Sequence, residues 1–530
     1  MVIFLILSLL VTQLSAEAIE PEEPDIILPE VILQVADLVV ENVDAKLPEE
    51  SELFPPEREA PLPEEGELTV EEPVMPLSVP SGIEGSSPGT EPGLIADAVL
   101  GAGSLNHLYS SISLYQMGVE PRFKLKFLHE TLDGFAGHDQ GSGYNFREDF
   151  LWGGVKFELG DLSMEYSGEF HDIEKGFQGK GSFTSRIFRA GQGRVEAEYP
   201  LGERLWLLGN IQAGFFSRLL TGSGAQESTE ILAAPEISLE LRLEKSLLGL
   251  SSRYKYGSLV DNDESVVTRL ELEAYFGIDF QPQLRVEGSG GWFWSDALGN
   301  LFPFSLNISG ALFDILSFNL SGGYHIEHID YRLIFEDYDL VETPESLSDN
   351  HGWYGDLNLS YSLSPQLSLL GGGNLSWNSA MADPYVDPTK DLGIDALSGL
   401  FRFRQVDADR FSSRIGLRWH PLSVLGLSAN WEMEWFDHPG FTPQYKIRLE
   451  AEVKERLGKW GGNGYLLHQD WPGSQLPLIG LSGFYKLSGT IKFILEIEDI
   501  LAPFQNDPRS IWYPYQEPGF YGIVKVQISL

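Results

Sequence analysis

The feature that most limits what this chain can fold into is a long, strict alternation of apolar and polar side chains. Leu425, Leu427, Ala429, Trp431, Met433 and Trp435 alternate with Gly426, Ser428, Asn430, Glu432 and Glu434. Ten residues on, Tyr445, Ile447, Leu449, Ala451 and Val453 alternate with Lys446, Arg448, Glu450, Glu452 and Lys454. Successive side chains of an extended strand point to opposite faces, so each stretch reads as a β-strand with one apolar and one charged face. The same register recurs in Leu270–Phe280, with Glu271, Glu273 and Asp279 on the polar side, in Phe123–Phe127 beside Arg122, Lys124 and Lys126, and in Leu487–Ile497, with Lys492, Glu496 and Glu498.

A soluble antiparallel sheet with one wet face shows the same alternation, so strand length has to decide. Sandwich strands run to about five or six residues, whereas a tilted strand crossing lipid needs about ten, as here. Trp292, Trp294, Trp419, Trp431 and Trp435 sit near strand ends on the apolar faces, where an interfacial aromatic belt lies. Past the N-terminal stretch no apolar run reaches the roughly 18 residues of a membrane helix, so a membrane-spanning chain of this kind must be a closed barrel. The terminal stretch Gly519–Leu530 fits that role. Phe520, Gly522, Val524, Val526, Ile528 and Leu530 share one face opposite Lys525, Gln527 and Ser529, as expected of a last strand that pairs with the first.

Turn signals give the count. Short connections are expected at Val119–Pro121, Gly160–Asp161, Pro200–Glu203, Lys245–Leu248, Gln281–Gln283, Phe313–Asp314, Ser364–Gln366, Pro421–Val424, Leu457–Gly458 and Tyr485–Lys486. Longer polar loops lie between them at Asp133–Asn145, Asp330–His351, Ala380–Ala396, His468–Leu476 and Gln505–Pro518. Ten turns, doubled, plus a first and a last strand give about 22 strands, with 18 to 26 as the span the ambiguous stretches allow. The fold class is therefore all-β, a large antiparallel transmembrane barrel over residues 94–530. Short turns are expected in the periplasm and long loops outside.

The N-terminal region has another character. Val2–Val11 is apolar and is followed by Ala16-Glu17-Ala18, so residues 1–18 read as a signal peptide, although a basic n-region is missing. From Glu17 to Gly93 we count 13 of the 31 prolines and 21 acidic residues against Lys46 and Arg58. Such a segment cannot bury enough apolar surface to offset its ordering entropy, so residues 19–93 are expected to be a disordered, acidic, Pro-rich periplasmic segment. Within it Ile26–Val43 is apolar enough to dock on a periplasmic partner. The net charge of −42 argues against nucleic acid, which is bound through basic patches, and the absence of cysteine excludes disulfides, thiolate metal sites and a cysteine nucleophile.

The C-terminus also carries a resemblance. Ile497-Glu498-Asp499-Ile500-Leu501, Tyr513-Pro514, Glu517-Pro518-Gly519 and Phe520-Tyr521-Gly522 resemble the closing hairpin of TonB-dependent receptors, over about 35 residues. The resemblance implies an outer-membrane barrel that moves or binds a solute. It departs from the family at Asp499, where Asn is usual, at Leu530, where an aromatic is usual, and in leaving too little chain before the barrel for a folded plug. The expectation is a plugless relative whose lumen is open or filled by side chains, loops or the acidic segment.

Other constellations carry less. His325-Ile326-Glu327-His328-Ile329-Asp330 has metal-ligand residue types, but on a strand only His325 and Glu327 share a face. Asp261-Asn262-Asp263-Glu264 lacks the glycine and distant glutamate of a calcium loop and reads as a hairpin tip. Asn307, Asn319, Asn358 and Asn374 each begin an Asn-x-Ser pattern inside a strand and read as barrel lining, not glycan acceptors. The histidines, among them His129, His138 and His438, single out no Ser–His pair, so no enzyme, metal or cofactor is expected. What remains is charge on the polar faces: Lys446, Arg448, Glu450, Glu452, Arg414, Arg418, Arg285, Glu287, Lys492 and Glu496 are the pore-lining candidates. They select solutes electrostatically or pair across strands to keep the interior hydrated and rigid. The functional expectation is solute transport or binding across the bacterial outer membrane, with membrane lipid as the surrounding partner; the alternative is a structural or surface-binding barrel.

Overall fold

The computed structural model describes residues 94–116, 121–135, 137–260, 265–281, 283–313, 315–344, 346–385, 394–436, 443–470, 475–510 and 512–530. The expected signal peptide and the acidic segment with Ile26–Val43, the Asp261–Glu264 stretch and His438 lie outside the described residues.

The strands form one antiparallel sheet in which each pairs with its sequence neighbours, and the first, Leu94–Gly103, pairs with the last, Tyr521–Ser529. Asp97 faces Ser529 and Gly103 faces Ile523, so the sheet closes on itself and leaves no edge. The short segment Gly299–Leu301 and the strand Phe304–Leu312 both pair with Leu284–Ser295 and act as one interrupted strand, which makes the barrel 22-stranded. Strand number and closure are as the sequence predicts.

Alternation sorts the side chains as expected. Ile211, Phe215, Ile231, Ile237 and Leu250 point outward from neighbouring strands and are between 46% and 61% exposed. A soluble protein would not leave such a continuous apolar belt in water. Aromatic rows bound it. Phe304, Tyr324, Trp353 and Trp377 follow one another across four strands toward the long-loop end, and Trp460, Tyr485 and Phe493 do so toward the short-turn end. On one strand, Trp353 and Tyr361 mark the two levels, eight residues or roughly 26 Å apart along a tilted strand.

Three local expectations are corrected. The Lys245–Leu248 turn falls earlier, because Ser246 already begins a strand, and the Tyr485–Lys486 turn falls later, because Leu478–Lys486 runs through it. Ala380–Tyr385 is not loop: the strand Leu367–Tyr385 continues past a bulge between Asn378 and Met381, with Ala380 at φ 64°. A bulge takes in an extra residue while letting pairing resume, so the polar composition there does not end the strand.

The loop Asp330–His351 also holds a helix, α1 (Tyr331–Asp337), where only a polar loop was expected. Asp330 caps it by accepting from the Leu333 N–H at 2.9 Å. Its buried residues Tyr331, Ile334 and Phe335 recur at helical spacing. That face packs into a core at the long-loop end of the barrel, built with inward-facing residues of the strands there.

Candidate functional site

The core at the long-loop end is assembled mainly from three separated connections and the lumen wall, with Phe177 added from the short connection between Gly176 and Phe183. From the first come Ile329, Tyr331, Ile334, Phe335 and Val341; from the second, Ile394, Leu400 and Phe401; from the third, Tyr515, with Trp512 beside it. The wall supplies Phe183, Phe188, Phe216 and Leu220. Phe335, Val341 and Phe401 are at most 1% exposed. Backbone joins the connections as well: Val341 bridges Phe401, the Phe401 N–H donates to Leu340 O at 2.9 Å, and the Glu342 N–H donates to Phe401 O at 2.9 Å. The Tyr515 hydroxyl donates to Gly399 O at 2.5 Å. Partly buried Ala382 and Phe403 extend the packing to the opposite wall, so the three connections form a cap that reaches across the mouth.

Gly399 shows how closely the cap is fitted. Its φ is 78°, and an added Cβ would lie 2.9 Å from the Tyr515 hydroxyl and 3.2 Å from Lys180 O. Gly399→Val should weaken the cap by about 1–3 kcal/mol through backbone strain alone, read as faster hydrogen exchange in residues 394–401 with barrel assembly unchanged.

Charged side chains of the lumen wall tie the cap down. Arg269 donates to both oxygens of Asp349, at 2.8 and 2.6 Å, and to Ile329 O at 2.6 Å; the pair is 3% and 2% exposed. Lys255 reaches Asp330 at 2.9 Å, and Glu230 accepts from the Arg332 N–H at 3.1 Å. Lys175 and Arg186 both donate to Asp339, at 2.6 and 2.9 Å. Arg218, 1% exposed, donates to Val341 O at 2.7 Å and lies 4.2 Å from the Phe335 ring centre. Among loop groups, Asp349 is held down to about 2: burial opposes its charge, but His328 and Arg269 outweigh it. Asp339 is lowered as well, with Arg186 and Lys175 overcoming its burial.

His328 lies beyond the end of its strand, with Glu271 on one side and Asp349 3.8 Å away on the other, while His325 stays on the strand against Tyr354. The His325–Asp330 stretch is therefore divided between wall and cap. Among the described residues no three His, Asp or Glu side chains converge as a metal ligand set. Burial works against a charged His328, but the nearby carboxylates of Asp349 and Glu271 prevail and raise its pKa above 6.5. A raised folded-state pKa gives stability that is complete below the unfolded value and is lost as pH rises through the folded one. Hydrogen exchange in residues 329–349, corrected for its intrinsic rate, should therefore quicken as pH rises from 6 to 9, and His328→Asn should flatten that dependence. Asp339 and Asp349 lose their contribution only at acid pH, well outside this window.

The predicted pore-lining residues lie on the polar faces, and several are paired. Arg448 meets Glu450 at 2.6 Å, Arg285 meets Glu287 at 2.7 Å, Glu496 meets Lys525 at 2.6 Å, and Lys446 lies 4.0 Å from Glu432. Arg414 donates to Asn358, and the Lys492 ammonium stands 5.4 Å from the Phe484 ring centre. Arg418 and Glu452 have no ion pair among the described residues. Neutralisation along one strand, as in Arg448–Glu450 and Arg285–Glu287, or across to the next, as in Glu496–Lys525 and Lys446–Glu432, thus accounts for many of them. Asn307 donates to Glu287, in keeping with the expectation that the Asn-x-Ser patterns line the barrel. Elsewhere on the wall a cavity of about 380 Å³ is lined by Glu165, Glu196, Glu236, Glu240, Glu273 and Tyr275 among others.

No family model matches the chain, and neither does any curated protein. Solved structures do. The copper transporter OprC matches with a TM-score of 0.65 at 11% identity, over 83% of this chain and 80% of its own. A mutant of the ferric enterobactin receptor PfeA from Pseudomonas aeruginosa matches at 0.63 and 12%, over 83% and 81%. The FrpB iron transporter from Neisseria meningitidis matches at 0.62 and 10%, over 83% of each chain. The fold is that of TonB-dependent outer-membrane receptors. The resemblance read from the closing hairpin thus holds at the level of the whole receptor-type barrel.

Sequence reasoning missed the residues that build the cap. The signal for α1 was present in the Tyr331, Ile334 and Phe335 spacing behind Asp330, a helix capping residue. Nothing comparable marks Arg186 or Arg218, which alternate like any other lumen residue.

Proposed function

We propose that this protein is an outer-membrane barrel that passes a solute across the outer membrane, and that the cap over its long-loop end is the gate. The carrying observation is that a receptor-type barrel has its mouth spanned by three connections packed on a dry core. The solved relatives are a copper transporter, a ferric enterobactin receptor and an iron transporter, which supports a transport role. In this reading the long loops face outward, and the short turns and both chain ends face the periplasm. Barrels of this architecture place short turns on the periplasmic side, which supports that orientation. The wall charges then keep the route hydrated and set its preference by charge. The apolar segment Ile26–Val43 would engage a periplasmic partner; unchanged uptake after its deletion would remove that part.

Planar-bilayer recording tests the reading. The whole chain should be closed, and a variant with residues 331–347 replaced by a short Gly-Ser linker should show discrete conductance steps. If that variant stays silent, also after removal of residues 17–90, the barrel is a structural or surface-binding one and the transport reading fails.

A further inference from the structure

Beneath the cap, three cations from adjacent strands converge. Lys175 belongs to Leu162–Gly176, Arg186 to Phe183–Pro200 and Arg218 to Leu205–Gly222, and Lys175 and Arg186 are direct cross-strand partners. Like charges placed opposite one another on a sheet repel, so the arrangement needs an anion. Asp339, from the cap, supplies it. Its carboxylate accepts from Lys175 and Arg186, and its carbonyl accepts from Arg186 at 2.9 Å. Glu517, on the third connection, is the other carboxylate near Lys175, but burial raises its pKa and so weakens it as a counterion.

One carboxylate does not satisfy three cations. Arg218 has no carboxylate partner among the described residues: its single hydrogen bond goes to a neutral carbonyl, and Nε and Nη1 are buried without any partner. The Arg186 Nε is buried without a partner too. A guanidinium offers five N–H donors in a planar fork matched to carboxylate and phosphate, and leaving them idle in a dry core is costly. The wall therefore presents more oxyanion-binding capacity than the closed cap uses.

We propose that Lys175, Arg186 and Arg218 form an oxyanion-binding site on the lumen wall, and that Asp339 occupies it as a built-in surrogate while the cap is closed. A solute bearing a carboxylate or phosphate displaces Asp339, engages the idle donors and lifts the connection that carries α1. This deepens the transport reading by naming an anionic solute and the event that opens the gate.

The test uses the full chain in detergent micelles. Inorganic phosphate and acetate are titrated separately by calorimetry, with chloride holding ionic strength constant. Asp339→Asn should tighten phosphate binding at least tenfold over the parent and raise hydrogen exchange in residues 331–347. Adding Arg186→Gln should abolish the gain. Binding of both probes assigns a general oxyanion site and binding of phosphate alone a phosphate site, each in keeping with the proposal. Unchanged phosphate affinity in Asp339→Asn, or an unchanged cap, overturns it. The linker variant gives an independent reading should Asp339→Asn fail to assemble. In the variant whose residues 331–347 are replaced by a Gly-Ser linker, which lacks Asp339, phosphate should bind at least tenfold more tightly than to the parent, and adding Arg218→Met should abolish that gain; unchanged affinity in the linker variant would overturn the proposal. Because binding is read without a bilayer, its failure leaves the conductance result standing, and a silent bilayer leaves binding standing.

Discussion

Replacing Phe335 with alanine should unseat the cap while leaving the barrel assembled. Phe335 is 1% exposed, packs 5.6 Å from Phe216 between ring centres and gives Arg218 its aromatic face. Truncating a buried phenylalanine costs about 3–5 kcal/mol, part of it for the cavity left behind. Exchange in residues 331–347 should then rise by roughly two to three and a half orders of magnitude, at about 1.4 kcal/mol per factor of ten. The strand ladder takes nothing from this side chain, so heat-modifiable mobility on a gel should match the parent. Native exchange rates in the variant would mean that the aromatic core does not hold the cap.

Arg269→Met should have an effect of similar size by another route. It leaves Asp349 buried with its principal cation gone, and breaking a buried pair from one side typically costs about 3–5 kcal/mol. The Ile329 carbonyl loses its donor as well. The double variant Arg269→Met with Asp349→Leu should recover much of the loss, because no charge is then stranded. If the double variant exchanges as fast as the single one, hydrogen-bond geometry rather than charge burial is what Arg269 supplies. Both measurements follow residues 331–347, so they compare the apolar and ionic anchors of one segment directly.

These anchors also show which parts of the molecule could be read from the sequence. A barrel wall has lipid on one side and a polar interior on the other, so every second residue reports its face, as in Ile447, Leu449 and Val453 against Arg448, Glu450 and Glu452. Turns were legible for a related reason: Gly458, at φ 64°, sits where few other residues are comfortable. The boundaries that slipped, at Ser246, Lys486 and Met381, are places where hydrogen bonding to the next strand outweighs a polar local composition. The cap was not legible, because its core draws single apolar residues, such as Val341, Phe401 and Tyr515, from loops far apart in the chain. Each alone looks like an ordinary exception in a polar loop. The charges were half legible: their face followed from alternation, but whether Arg218 meets a carboxylate, a carbonyl or a ring depends on how the loop before His351 is folded.

The joint between Leu94–Gly103 and Tyr521–Ser529 sets the order in which the wall can be made. Every other pairing joins consecutive strands across a turn or a loop, so the sheet can grow hairpin by hairpin as chain becomes available. This joint instead brings Gly522 to Ser104 across 418 positions. Tying the ends of so long a loop costs about 5 kcal/mol in chain entropy if the rest is unstructured, and far less once the intervening strands have already curled the sheet round. Assembly should therefore end at this seam, with Ala96 and Leu530 exchanging backbone hydrogen bonds at 3.1 and 2.8 Å as the last stitches. Until they form, the molecule is an open sheet with two bare edges, and that is the stage at which it is most exposed to pairing with another copy of itself.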